Sequence, residues 1–325
     1  YKEALPLNDW KDVVITVESE NEIVKAFIWN ATTYEPAADT YMFKKLGIKS
    51  YQITYPSFGT KAVTFNINDS ADTDDAVIEL MHEYGINATF GLTDATSDYA
   101  KYIHEDFEIA NHTTHIPMYA EYEFTDDNGN TVTPPTYNEC VESIELVEEL
   151  IAGETGNTPV GLAWPYMAPE ERDIFNSLKL YLATNNYEYM RDSQVTGSYD
   201  LPADWKDWGI SAWVQKDNTD SILDLANEYK SLNTTLFKVL SIAGNGSDMT
   251  EEELLAFYEE LFTKLSSEEI WKATNIELCR YIQATNKLEI TKEYIYNPTD
   301  ETIYMIVNGG EWVAEPGSYA HAIEE

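Results

Sequence analysis

The residues best placed for chemistry are an adjacent amide and carboxylate, Asn68 and Asp69. They close the run Lys61-Ala-Val-Thr-Phe-Asn-Ile-Asn-Asp-Ser70. Within it Ala62, Val63, Thr64, Phe65 and Ile67 have the apolar and β-branched character of a buried strand. An amide donates and accepts hydrogen bonds, whereas an ionised carboxylate only accepts them. Other reactive signatures are missing. No Gly-x-Ser-x-Gly elbow is present. Cys140 and Cys279, the only two cysteines, define neither a disulfide framework nor a zinc site, and both are expected to be unbridged.

The elements around this pair explain why its position matters. Residues 74–84 carry apolar side chains at helical spacing and stop at Gly85, and 87–93 read as the next strand. Strand, polar tip, helix and strand make a βαβ unit, whose chemistry sits where loops leave the carboxyl ends of the strands. The alternation continues from 61 to about 288. Further strands are expected at 107–111, 160–164, 181–184 and 236–242. Helices are expected at 138–152, 169–178, 220–232, 250–265 and 275–285. Thr250-Glu-Glu-Glu253 has the form of a capping box. Residues 199–216 read as aromatic and irregular, with Trp205, Trp208 and Trp213 as packing residues. Repeated β–α alternation calls for parallel strands covered by helices, in a barrel or an open sheet.

Both ends read differently. Residues 1–55 form an N-terminal β segment, with strands expected at 13–17, 23–28 and 51–55. Residues 289–325 form a small antiparallel β unit, with strands near 294–297, 302–307 and 312–313 and turn signals at 298–301 and in Asn308-Gly-Gly310. The core domain is then 56–288.

The chain has 325 residues, 43% of them hydrophobic, enough for a sizeable core. Its formal net charge of −38 argues against nucleic-acid partners, whose phosphates it would repel. No run approaches the roughly 18 apolar residues of a membrane span, and no secretory leader is visible, although a mature chain would already have lost one. An exterior or surface location suits the charge.

Taken together, the motifs resemble the polysaccharide deacetylase superfamily, carbohydrate esterase family four, over about residues 60–288. The first motif of that family often reads Thr-Phe-Ser-Tyr-Asp-Asp-Gly; here it is Thr64-Phe-Asn-Ile-Asn-Asp-Ser70. The second reads Glu-Ile-Gly-Asn-His-Thr-x-x-His-Pro; here it is Glu108-Ile-Ala-Asn-His-Thr-Thr-His-Ile-Pro117. The third, Arg-x-Pro-Tyr, is matched by Ala163-Trp-Pro-Tyr166. Tyr187-Glu-Tyr-Met-Arg191, Tyr199-Asp-Leu-Pro202 and Trp271-Lys-Ala-Thr-Asn-Ile-Glu277 are similar to framework segments of some members.

The resemblance implies a distorted (β/α) barrel with small β attachments at both ends. It implies deacetylation of glycans at a divalent metal, usually zinc, held by one Asp and two His, with a second Asp as base. Carried over, the metal Asp is Asp69, the base position holds Asn68, and the first metal His is His112. Ile116 stands where the second belongs, with His115 one residue early. An amide cannot take a proton from metal-bound water. The register that uses Asn66 and Asn68 has no carboxylate at either position. The Arg that steadies the base is replaced by Ala163, and the late strand at 236–245 has no histidine. Trp164 and Tyr166 are expected as sugar platforms or packing residues, and Arg191, one of three arginines, as the ion-pair partner of an acid such as Asp69. The reading is a deacetylase-like protein without catalysis, binding carbohydrate or serving assembly through its β attachments, and with no resident cofactor. The alternative is an active zinc- or other metal-dependent deacetylase with rearranged ligands.

Overall fold

The computed structural model describes residues 51–69, 71, 73–114, 116, 123–125, 129–165, 173–291 and 294–323. The strands expected at 13–17 and 23–28, and the residues His115 and Tyr166, lie outside this set. The chain divides into two compact units. The larger spans 55–233 and 237–283.

Its sheet contains β1 (Lys61–Asn68), β2 (Ala88–Leu92), β3 (Phe107–Asn111), β4 (Gly161–Ala163), β5 (Tyr189–Val195), β6 (Trp208–Ile210), β7 (Ala212–Trp213), β8 (Lys238–Ala243) and β9 (Ile270–Lys272). All neighbours pair in parallel, in the order β7-β8-β1-β2-β3-β4-β5-β6, with β9 beside the first residues of β1. Only Ser211 separates β6 from β7, and its N–H donates to Ser241 O of β8 at 2.8 Å. One segment thus pairs with β5 through its first half and with β8 through its second, which brings the two ends of the strand order next to each other in the chain. The stretch expected to be irregular supplies this junction.

Helices α1 (Asp74–Tyr84), α2 (Tyr137–Thr155), α3 (Asp173–Thr184), α4 (Thr219–Ser231), α5 (Glu251–Leu265) and α6 (Asn275–Thr285) alternate with the strands. Helix α1 stops at Gly85, whose φ of 60° is the left-handed conformation glycine adopts without steric cost. The capping box at Thr250 and Glu253 forms, and Thr136 with Glu139 makes another. The strand expected at 181–184 is instead the last turn of α3. Phe175, Leu178 and Leu182 continue one apolar helical stripe, and a four-residue apolar run cannot by itself distinguish helix from strand.

Strand alternation divides the interior in two. Val63, Phe65 and Ile67 face the helices and pack with Val77 and Met81 of α1 and Phe257, Leu261 and Phe262 of α5. Burying each large side chain stabilises the fold by about 1.5–3 kcal/mol. The intervening Thr64, Asn66 and Asn68 are equally buried but polar. They share the opposite face with Thr89, Glu108, Tyr189, Arg191 and Ser241, and are linked by hydrogen bonds such as Thr64 Oγ1 to Ser241 Oγ at 3.1 Å. A buried polar layer is tolerated because its groups find partners. Cys140 and Cys279 are buried and unbridged. No helix among the described residues is long and apolar enough to cross a membrane.

In the smaller unit, Ile303–Val307 and Gly310–Ala314 form a hairpin. Asn308 and Gly309 both have positive φ, as a tight two-residue hairpin turn requires. Tyr51–Thr54, read from sequence as leading into β1, pairs antiparallel with Ile303–Val307.

Candidate functional site

The polar layer reaches the carboxyl ends of β1, β3 and β4, where Asn68, His112 and Ala163 converge with Arg191, which pairs with Ala163 from within β5. Ladder bonds continue past the strands and hold the exits: Asp69 N–H donates to Gly91 O at 3.0 Å, His112 N–H to Leu92 O at 2.8 Å, and Trp164 N–H to Arg191 O at 2.7 Å. Asp69 and Thr113 both have positive φ, 60° and 57°. Non-glycine residues in this region are strained, and such strain gathers at functional sites. Gly91 lies beneath: a Cβ there would meet Asn68 Oδ1 at 2.9 Å and Ala163 Cβ at 3.2 Å.

Asn68 is 1% exposed and Arg191 fully buried. Arg191 Nη2 donates to Asn68 Oδ1 at 2.8 Å, and Nη1 donates to Asp192 O at 3.0 Å. Burial lowers the guanidinium pKa to about 10, while Tyr189, Asp192 and Asp69 act to raise it, so it stays protonated at neutral pH. Arg191 Nε and Asn68 Nδ2 have no hydrogen-bond partner among the described residues.

His112 Nδ1 lies 2.6 Å from Ala163 O. A carbonyl only accepts, so Nδ1 carries a proton, and Nε2 is the nitrogen that the neutral ring would offer to a cation. Nε2 stands 3.4 Å from Asp69 Oδ1. Two ligands of a tetrahedral zinc ion at about 2.0–2.2 Å stand roughly 3.4 Å apart, so this spacing suits a shared cation. The His112 side chain is 4% exposed and that of Asp69 39%, so the pair opens outward on the carboxylate side. Catalytic zinc sites take three protein ligands and an open position. Asp69 and His112 are two of these, and the fit to a complete centre is partial.

The polysaccharide deacetylase family model matches residues 56–183, the segment that carries β1 to β4 and these side chains. Residues 56–183 belong to the polysaccharide deacetylase superfamily. No curated protein matches the sequence. Similar solved structures include a family 4 carbohydrate esterase from Streptomyces lividans, at 14% identity and TM-score 0.42 over 66% of this chain and 91% of that one. The peptidoglycan deacetylase PdaC from Bacillus subtilis is similar at 15% identity and TM-score 0.42, over 70% of this chain and 95% of that one. A mutant of BA3943, described as a pseudoenzyme of carbohydrate esterase family four with restored activity, is similar at 13% identity and TM-score 0.44 over 70% of each chain.

The structure brings Asn68, Asp69 and His112, which lie in the matched segment, together with Arg191, which lies beyond it. Trp164 does not join them: it is 1% exposed and packs with Cys140, Ile144, Phe175 and Leu178. Its Cα follows β4 with outward parity, so its ring faces α2 and α3 and offers no flat surface to a sugar. Arg191, expected to pair with an acid, donates to the Asn68 amide and to the Asp192 carbonyl, with the Asp69 and Asp192 charges acting on it through space. It reaches residue 68 from β5. Ile116 packs against the cluster that contains Trp164. Trp205 and Trp208 stack edge-on at 5.2 Å and act in packing.

Sequence reasoning missed the layer below. Glu108 accepts from Thr89 Oγ1 at 2.9 Å, Ile276 N–H at 2.9 Å and Tyr189 OH at 2.8 Å. Burial pushes its pKa up to about 7, although these three donors act to lower it. Asn275 Nδ2 donates to Asn66 Oδ1, which fixes Asn66 inside the barrel and away from the rim. The polar alternation Thr64, Asn66, Asn68 in an otherwise apolar strand was the available signal.

Proposed function

We propose that the deacetylase domain keeps a carbohydrate-binding rim but has lost acetyl hydrolysis. The observation that carries this is the Asn68–Arg191 contact. At the position of the family's base stands an amide, buried and held through its oxygen by a guanidinium. Such a group has no basic lone pair with which to take a proton from water. What remains at the surface suits a neutral ligand: the Asp69 side chain is 39% exposed and can accept from a hydroxyl, with the buried Asn68–Arg191 pair behind it. Polysaccharide ligands and the acidic surface together favour an exterior setting, and no resident catalytic zinc is expected.

The test is acetate release from acetylated chitooligosaccharides, peptidoglycan fragments and acetylxylan, with zinc supplied. The wild-type chain should stay at the blank, while Asn68→Asp should gain about 10²-fold or more if the base is the missing part. Release by the wild type at ordinary enzyme rates would overturn the proposal. It would favour the second reading, an active metal-dependent deacetylase with rearranged ligands, for which the 3.4 Å Asp69–His112 spacing speaks.

A further inference from the structure

At the opposite end of the barrel, His82, His104 and Asp106 form a second group of metal-ligating side chains. His82 lies in the last turn of α1, before β2, while His104 and Asp106 lie just before β3. Because β2 and β3 are parallel, residues entering these strands lie at the end away from Asp69 and His112. We propose that these three side chains form a surface site for a divalent transition-metal ion such as Zn²⁺ or Ni²⁺, separate from the deacetylase rim.

Each residue offers one ligand atom, and the three atoms lie within 4.8 Å of one another. The local structure brings them together in two ways. The turn before β3 is closed by Phe107 N–H donating to His104 O at 3.1 Å and Asp106 N–H donating to His104 Nδ1 at 3.2 Å. His104 Nδ1 lies 3.3 Å from Asp106 Oδ2, and an ion held by Nδ1 would take the lone pair that the Asp106 N–H uses in its absence. Phe107 then serves as a common floor. The His82 and His104 rings sit 5.1 and 5.3 Å from it and only 4.3 Å from each other.

Ligands of a tetrahedral ion stand about 3.4 Å apart. The group must therefore contract slightly, and His82 and His104 are both on the exposed surface, where a small ring shift meets little packing. Two imidazoles and one carboxylate select a borderline ion over calcium or magnesium, which prefer all-oxygen shells. The carboxyl end of α1 carries the negative pole of the helix dipole, and the chain's net charge of −38 raises the local cation concentration. Three protein ligands leave one position for water. The bound ion would tie the end of α1 to the turn that starts β3.

The test is calorimetric titration of the EDTA-dialysed full chain with ZnCl₂ and with NiCl₂. Wild type and Asp69→Gly, which lacks the rim carboxylate, should both bind an ion at this site. His82→Ala and His104→Ala should each weaken that binding at least about tenfold. Both replaced side chains are exposed, so the variants should fold. Binding unchanged in the His82→Ala, His104→Ala double variant would overturn the proposal. So would loss of all binding in Asp69→Gly, or a wild type that takes up neither ion at millimolar concentration.

Discussion

The contact between Asn68 and Arg191 can be weighed by a double-mutant cycle of Asn68→Asp and Arg191→Gln. In the wild type a charged donor meets a neutral amide at 2.8 Å, a bond worth about 1.5–3 kcal/mol. Asn68→Asp places a full charge there. Two unit charges about 4 Å apart interact by about 4 kcal/mol at an effective dielectric of 20. The guanidinium keeps its charge at neutral pH because burial lowers its pKa only to about 10. Desolvating the new carboxylate costs several kcal/mol, so Asn68→Asp alone should change stability little in either direction. The cycle removes that cost, and the two substitutions should be non-additive by roughly 2 kcal/mol, with the carboxylate dependent on Arg191. Urea denaturation of the four proteins at pH 7 measures this. Additivity within about 0.5 kcal/mol would refute the claim that Arg191 holds the side chain at 68.

Glu108 gives a pH test. Its folded-state pKa is raised from 4.5 to about 7, so the folded protein holds this proton more tightly than the unfolded chain does. Stability from this group is full below about pH 4.5 and is lost as pH rises through about 7, by up to about 3 kcal/mol at roughly 1.4 kcal/mol per pH unit. Glu108→Gln should flatten that slope in urea titrations at pH 5 and pH 8; an unchanged slope would remove Glu108 as its source. Trp164→Ala should cost about 3–5 kcal/mol of stability as a core truncation, read from the denaturation midpoint, while a sugar platform would lose glycan affinity with stability intact. Gly91→Ala pushes a methyl group against Asn68 Oδ1 and Ala163 Cβ and should destabilise by about 1–3 kcal/mol, visible as a lowered melting temperature.

Local pattern alone determined much of this protein. The apolar run at 62–67, the helical spacing at 74–84 and Gly85 made a βαβ unit, and that unit put Asn68 and Asp69 at a strand exit. The capping box at Thr250 and the Asn308-Gly309 turn were equally legible, because caps and tight turns depend on residues a few positions apart. Tertiary structure decided what neighbours in sequence cannot. Arg191 meets Asn68 across 123 positions, and nothing in either segment specifies that pairing. Which face Trp164 takes depends on the parity of β4 and on the helices that cover it, so a ring fit to stack on sugar became core. Residues 181–184 continue α3 because Leu182 extends the stripe begun by Phe175 and Leu178. Tyr51–Thr54 pairs with Ile303–Val307 rather than with the neighbouring β1, since a strand's edge accepts any partner of suitable register and only the assembled fold selects one. The raised pKa of Glu108 is likewise a product of burial, which no sequence pattern states.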